Sequence, residues 1–538
     1  MLQHVHPDAT IIQTLSVGEA PFLAPGGEIP DDAQLQLLVR RNTPFPLGAT
    51  CRYRGGVFEI LIDPTDVERT INALGFHANA AEQIAKHDYA GAIASLQSLL
   101  ELNPYCSSAR IDLSQQHARC DRSDEALDEL VEGLRIDPQN PDYYSAASFL
   151  LADTEAMLPV AERYAVKAIE LDTRVSLADY VLGNIAGQRQ DYATAIRHFD
   201  RVLELHPGAS IAHHGKGLSL LHMGRFKSAA TEFEKFFTAS RGTVHDSEFM
   251  EDTQGMYLAC CVHLEKRTRP ARSKAAKREM ARVEAELGWC VELREDPEVG
   301  PKDFAPTIIW RNGIPPGTVI IRGQRLELDD PDFLLHSLME IRIETRARQR
   351  QKQKHGLLPT LREQAEHIAA NCREPQNSVA DELGPEERDM LSVSRRGLCA
   401  SAISEPHDWL IAARMLREFP VCKWGLLFLV HKAVKSLIQG CADEMFEELF
   451  APDIRAAYTA MVGASALMLA DFSNGALDLT AACRKFPVWS RSVHIADHWK
   501  NRVEGKFKPG DEAGLIDEIA AIAGFIADRQ VVTQGRLI

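Results

Sequence analysis

Small residues return through the middle of this chain at a near-constant interval, and that periodicity limits the fold more than any other feature. Ala92, Ala126, Ala161, Ala195 and Ala229 stand 34, 35, 34 and 34 residues apart. A second frame keeps step: Pro104, Pro138, Thr173 and Pro207 each lie twelve residues after one of the first four alanines. Gly183 and Gly217 each precede their alanine by twelve, and Tyr89, Tyr192 and Phe226 recur ahead of theirs. A period of this length marks repeated supersecondary units that cannot bury their apolar faces alone and must stack.

Each unit reads as two short amphipathic helices, such as Ser176–Gln188 followed by Tyr192–Leu205. The small residues let the pair approach closely, and Phe199 and Leu203 fill the wedge toward the next pair. A proline then ends the second helix, because it cannot continue a helix interior. The stretch from Tyr180 to Phe199, with Gly183, Gly187, Tyr192 and Ala195 in place, resembles a tetratricopeptide repeat (TPR). So does its neighbour from Ser210 to Phe237, and the copies aligned on Ala92 and Ala126 are similar. The copy aligned on Ala161 departs, with Thr173 for proline and Phe149 where a small residue belongs.

The resemblance covers about residues 70–240. It implies a right-handed superhelix whose concave face, lined by the first helix (A) of each pair, binds an extended peptide or a partner helix. Carried over residue by residue, the groove positions are Ile111, Gln115, Tyr143, Tyr180, Asn184, His214 and Leu218. The family's grip on a chain-terminal carboxylate uses Lys and Asn. Asn184 fits that pattern, but Tyr180 stands in the lysine's place, and His77, Ile111 and Ala146 do no better. No carboxylate clamp is expected. Each groove position could equally be a solvated helix face or a contact to the chain's own flanking segments.

Around the array the pattern changes. Residues 1–66 read as a small mixed cap over the apolar end of the solenoid, with strands at Leu35–Val39, Cys51–Tyr53 and Val57–Ile62 and a turn at Gly55-Gly56. Residues 67–240 hold about five helical hairpins. Residues 241–300 form a helical extension and linker, with a helix over Asp246–His263, a new helix opening at Pro270 and a linker from Glu295 to Asp303. Residues 301–538 form an α-rich domain opened by short strands within 307–328: Thr307–Trp310, Thr318–Ile321 and Arg325–Leu328. Helix Phe333–Arg348 follows, then mostly helix from Glu363 to Val503 and a last helix over Leu515–Ala527. The fold class is mainly α.

The chain carries 60 Lys+Arg against 76 Asp+Glu, a net charge of −16, so nucleic acid would need a local basic patch. No signal peptide or membrane span is visible, and the eleven cysteines lack framework spacing, which together point to reduced thiols in a cytoplasmic protein. His336 and Glu340 lie four apart on one helix face behind predicted strands. That layout resembles the H-E-x-x-H helix of zinc metallopeptidases in position but not in letters: Ser337 replaces the general-base Glu and Glu340 the second His. Glu344, Glu363, Glu366 or His367 could complete a zinc site; otherwise His336 simply bonds a carboxylate. His494, Asp497 and His498 share a spacing that more often marks a polar helix face. The run Arg342, Arg346, Arg348, Arg350, Lys352 and Lys354 suggests a helix ending in a solvated loop, and the Lys/Arg-rich start of Ala271–Leu287 a solvated face or a site for acidic partners. Phosphate-binding loops, dinucleotide fingerprints and nucleophile elbows are absent from the sequence.

These features favour an interaction scaffold, without cofactor, that takes a protein or peptide partner. The alternative is a metal-dependent hydrolase, or its inactive descendant, in the C-terminal half, with the array as substrate selector. A third reading has the groove filled by the chain's own N- or C-terminal segment. The oligomeric state is left open.

Overall fold

The computed structural model describes residues 4–6, 9–16, 31–45, 50–54, 57–241, 247–296, 307–309, 318–323, 325–350, 408–441, 452–486 and 489–503. The chain divides into two compact units, Met1–Ser219 and Leu220–Ile538.

The first unit opens with a four-stranded antiparallel sheet in the order β1-β2-β4-β3: β1 (His4–His6), β2 (Ala9–Ser16), β3 (Thr50–Arg54) and β4 (Val57–Ile62). Phe58, Ile60 and Ile62 alternate onto one face of β4 and are fully or almost fully buried. Leu35–Val39, expected as a strand, instead lies in helix α1 (Asp32–Asn42). Asp31 caps that helix, its carboxylate accepting from the Gln34 amide at 2.8 Å, and Leu35 and Val39, one turn apart, are both buried. α1 packs against α4 (Ser107–Arg119) of the array. Its C-terminal end meets the turns between repeats: Asn103 donates to the carbonyls of Arg40 and Thr43, Ser107 to that of Arg41, and the Arg41 guanidinium grips Asp137 through two nitrogens. On the first array helix, α2 (Val67–Ala85), Ile71 remains 60% exposed.

Hairpins follow one another: α2 with α3 (Tyr89–Leu102), α4 (Ser107–Arg119) with α5 (Ser123–Ile136), α6 (Pro141–Leu151) with α7 (Leu158–Leu171), and α8 (Ser176–Gln188) with α9 (Tyr192–Leu205). Then comes α10 (Ser210–His222). All five repeat alanines have no exposed surface. The A helices touch one another along the stack, α4 on α6 and α6 on α8, and the second helices of successive hairpins make no comparable contact among the described residues. The A helices therefore line the tighter, inner side.

Close approach is set at the small residues. A Cβ on Gly183 would sit 2.8 Å from the Phe199 ring, and one on Gly133 would sit 2.7 Å from the Tyr143 ring. The turns within hairpins repeat as well. His87, Asp121 and Gln190 all have φ near +60°, the left-handed conformation that closes the first helix and starts the second. The third hairpin replaces that single residue with a 3-10 turn over Glu155–Met157.

The second unit contains α11 (Phe226–Ala239), α12 (Ser247–Leu287), β5 (Cys290–Glu295), β6 (Thr307–Ile309), β7 (Thr318–Gly323), α13 (Arg325–Leu328) and α14 (Pro331–Arg350). Beyond these lie α15 (residues 408–418), α16 (Lys423–Cys441), α17 (Pro452–Phe472), α18 (Thr480–Cys483) and α19 (Trp489–Val503).

Three expectations for this unit are corrected. α12 runs straight through Pro270, where a new helix was expected. Pro270 sits on the exposed side of α12, so the carbonyl it leaves without a backbone donor faces water. Arg325–Leu328 is helical; the third strand of the sheet is β5, parallel to β7 from Cys290↔Thr318 to Glu295↔Gly323, while β6 pairs antiparallel with β7. Arg342 is no part of a solvated run, being 1% exposed and held by Glu279, at 2.5 Å, and by Glu418. Asp332, buried on α14, pairs with Arg272 of α12 in the same way, so two buried ion pairs join these helices. Residues 363–407 and 515–527, expected to be mostly helical, lie outside the described residues.

Two substitutions read this packing. Gly183→Val should destabilise the first unit by about 1–3 kcal/mol, through overpacking against Phe199. Gln190→Gly should stabilise it by about 0.5–1 kcal/mol, through relief of the left-handed turn. Thermal unfolding followed by circular dichroism checks both signs.

Candidate functional site: the inner face of the repeat array

The A helices begin at Ser107, Pro141, Ser176 and Ser210, spaced 34, 35 and 34. The second helices begin at Ser123, Leu158 and Tyr192, spaced 35 and 34. The extra residue therefore lies between Pro141 and Leu158, in the turn of the third hairpin. Helix α6 must consequently be aligned one residue earlier than an alignment through Ala161 suggests. Burial agrees: Ala109, Tyr143, Ala178 and Ala212 occupy equivalent positions and are at most 1% exposed. Ser148, fully buried, takes the small-residue position of Gly183.

This shift corrects the expected groove. Tyr143 does not face the inner side; it is wholly buried against Gly133. The position equivalent to Gln115 and Asn184 is Phe149, a residue that the sequence pattern treats as a misfit. Its ring is 42% exposed and its centroid lies 6.5 Å from that of Tyr180, which in turn lies 6.0 Å from Phe199. The equal spacing of helix starts is the signal in the sequence that identifies it.

Four consecutive A helices thus place Ile111 and Gln115, Ser145 and Phe149, Tyr180 and Asn184, and His214 and Leu218 at matching positions, each pair one turn apart. Gln115 is exposed, Ile111, Tyr180, Asn184, His214 and Leu218 are half-buried, and Ser145 is buried. None of the eight is a formally charged residue, and burial lowers the pKa of His214 to about 4, so its imidazole is neutral at physiological pH. At the α2 end, burial raises the Asp112 carboxyl and the neighbouring His77 opposes that rise. At these eight positions the inner face offers apolar surface, an aromatic pair and amide groups, and none of them is a Lys or Arg.

The C-terminal candidates are arranged differently. His336 and Glu340 are 3% and 8% exposed on α14, and His336 Nε2 lies 3.8 Å from a carboxylate oxygen of Asp408. Ser337 is fully buried and donates to the Phe333 carbonyl at 2.9 Å, which leaves it no role as a base. Among the described residues, no three His, Cys, Asp or Glu side chains converge as a metal site requires. The side chains of Glu344, Glu363, Glu366 and His367 lie outside the described residues, as does that of His498. His494 and Asp497 are exposed on α19. The described cysteines are free thiols, and burial raises Cys260 and Cys261 to about 11 and about 12, which makes them poor nucleophiles. No described helix is long and apolar enough to cross a membrane.

Two segments, residues 83–148 and 180–240, match family models described as tetratricopeptide repeat. The hairpins within those two segments match the TPR pattern, and the gap between the matches contains the irregular turn of the third hairpin. Among solved structures the chain is similar to MamA, at 18% identity over 32% of this chain and 97% of that one, with a TM-score of 0.25. It is also similar to YrrB, a TPR protein with an unusual peptide-binding site, at 19% identity over 33% of this chain and 92% of that one (TM-score 0.24). A thermophilic TPR protein of Thermus thermophilus matches at 16% identity over 34% of this chain and 95% of that one (TM-score 0.29). No curated protein sequence matches the chain.

The low pKa of His214 fixes a pH dependence. The folded state refuses a proton that the unfolded state accepts near pH 6.5, so this contribution to stability is complete above 6.5 and shrinks as pH falls toward 4. His214→Gln should therefore reduce the loss of stability between pH 7 and pH 5. Urea titrations of both proteins at the two pH values give the comparison.

Proposed function

We propose that the chain is an interaction protein whose inner array face takes up an uncharged peptide segment or partner helix. The observation that carries this reading is the ladder of the inner face: Phe149 is exposed beside Tyr180, with Gln115, Asn184 and Leu218 at matching positions on neighbouring helices. An aromatic pair with one exposed and one half-buried ring supplies desolvation energy to a partner, and the two amides can hold its backbone. With no charge clamp, the affinity depends only mildly on salt.

The test is affinity capture with the full chain, comparing the native protein with Phe149→Ala/Tyr180→Ala. The double variant should lose at least tenfold in affinity for the captured partner, with native-like melting, and the loss should persist at 0.5 M salt. Recovery of the same partners at the same strength by both proteins would refute the assignment. A metal-dependent hydrolase in the second unit gains no support from the arrangement around His336, and no cofactor is invoked.

A further inference from the structure

The middle of α12 is amphipathic in an unusual sense. Its inward side carries Glu265, Thr268, Arg272, Ala276, Glu279 and Val283, all buried or half-buried. That side supplies the ion pairs to α14, Arg272 to Asp332 and Glu279 to Arg342. On the outward side, Lys266, Arg267, Lys274, Lys277 and Arg278 are all exposed. At 100° per residue these five cations fall within one broad face, separated by Pro270, Ala271 and Ala281. Between Lys266 and Ala281 the sequence places no acidic residue on that face, and none of the five cations has an ion pair or hydrogen bond among the described residues. The other exposed arginine of the segment, Arg269, points elsewhere and donates to the Asp329 carbonyl.

We infer that this stripe is a docking surface for an acidic, Asp/Glu-rich protein segment. Charge complementarity is the first argument, since five unpaired cations on a chain of net charge −16 form a strong local exception. Length is the second. The stripe covers about 18 Å at 1.5 Å per residue, which matches a short acidic segment. A long polyanion such as duplex DNA would overrun it onto surface that is acidic on average. Chemistry is the third. No aromatic residue lies between Lys266 and Ala281, so single-stranded nucleic acid has no stacking platform. The residues between the cations are Pro and Ala, too small to insert into a lipid interface beside them. The inward side of the same turns is anchored to α14 by the buried arginine pairs, which leaves the stripe turned away from that contact.

The experiment uses the full chain and a fluorescein-labelled ten-residue peptide of alternating Asp and Glu. Anisotropy at 50 mM salt should show saturable binding. Lys274→Glu/Lys277→Glu/Arg278→Glu should weaken it at least tenfold, while Phe149→Ala should leave it unchanged. The three replaced side chains are exposed, and the melting temperature checks that the variant folds. Unchanged peptide binding in the triple variant overturns the proposal. So does stripe-dependent binding of a 20-base-pair duplex, or of vesicles rich in phosphatidylserine, that is tighter than binding of the peptide. If the triple variant does not fold, Lys274→Gln/Lys277→Gln/Arg278→Gln replaces it under the same criteria.

Discussion

Everything on the inner face of the array depends on how closely paired helices can approach, and that distance is set by atoms that are missing. Gly183 leaves its Cβ position to the ring of Phe199, and Gly133 leaves its own to the ring of Tyr143. The repeat alanines complete the contact from the second helix. Interiors pack densely enough that one extra methyl group forces a shift. The close fit fixes the rotation of each A helix, and rotation decides which residues reach the inner side. The ladder from Ile111 to Leu218 is thus a consequence of core packing several ångströms away from it.

The second unit solves the same problem with charge. α12 and α14 are joined by Arg272 with Asp332 and by Arg342 with Glu279, and all four side chains are buried. Gly425 belongs to the same arrangement: a Cβ there would lie 2.4 Å from the Asp332 carboxylate and 2.9 Å from the Arg272 guanidinium. Such pairs add little net stability over apolar residues of the same size, but half of one is costly, so they select one register of the two helices over its neighbours. On the outward side of the middle of α12, the cations from Lys266 to Arg278 are left exposed.

The sequence makes the repeat legible because its signal is redundant. Alanine, proline and glycine frames all report one period, and the helices from α2 to α11, apart from the one-residue shift of α6, fall where that period puts them. Features that depend on a single residue's context are less visible. Leu35, Leu37, Leu38 and Val39 form a short apolar stretch that can pass for a strand, but with the Asp31 cap it is a helix. Pro270 looks like a start signal because a sequence does not reveal which side of a helix meets water. Pairing β5 with β7 requires two segments 28 residues apart to align, and local propensity carries no such information. At the candidate site, Tyr180, Asn184, His214 and Leu218 were readable from the regular repeats. Phe149 was hidden because one added residue in a turn moved its helix out of phase with the alanine beyond it.

That added residue has a consequence for how the array can be cut and rejoined. Exchanging or duplicating segments of 34 residues keeps the inner ladder in phase wherever the join falls within the regular hairpins. Across the 3-10 turn at Glu155–Met157 the interval becomes 35, and a join made 34 residues on inside a helix beyond that turn would slip that helix by one residue, turning the rest of its inner positions by about 100°. The third hairpin is therefore the joint at which modules of this array cease to be interchangeable.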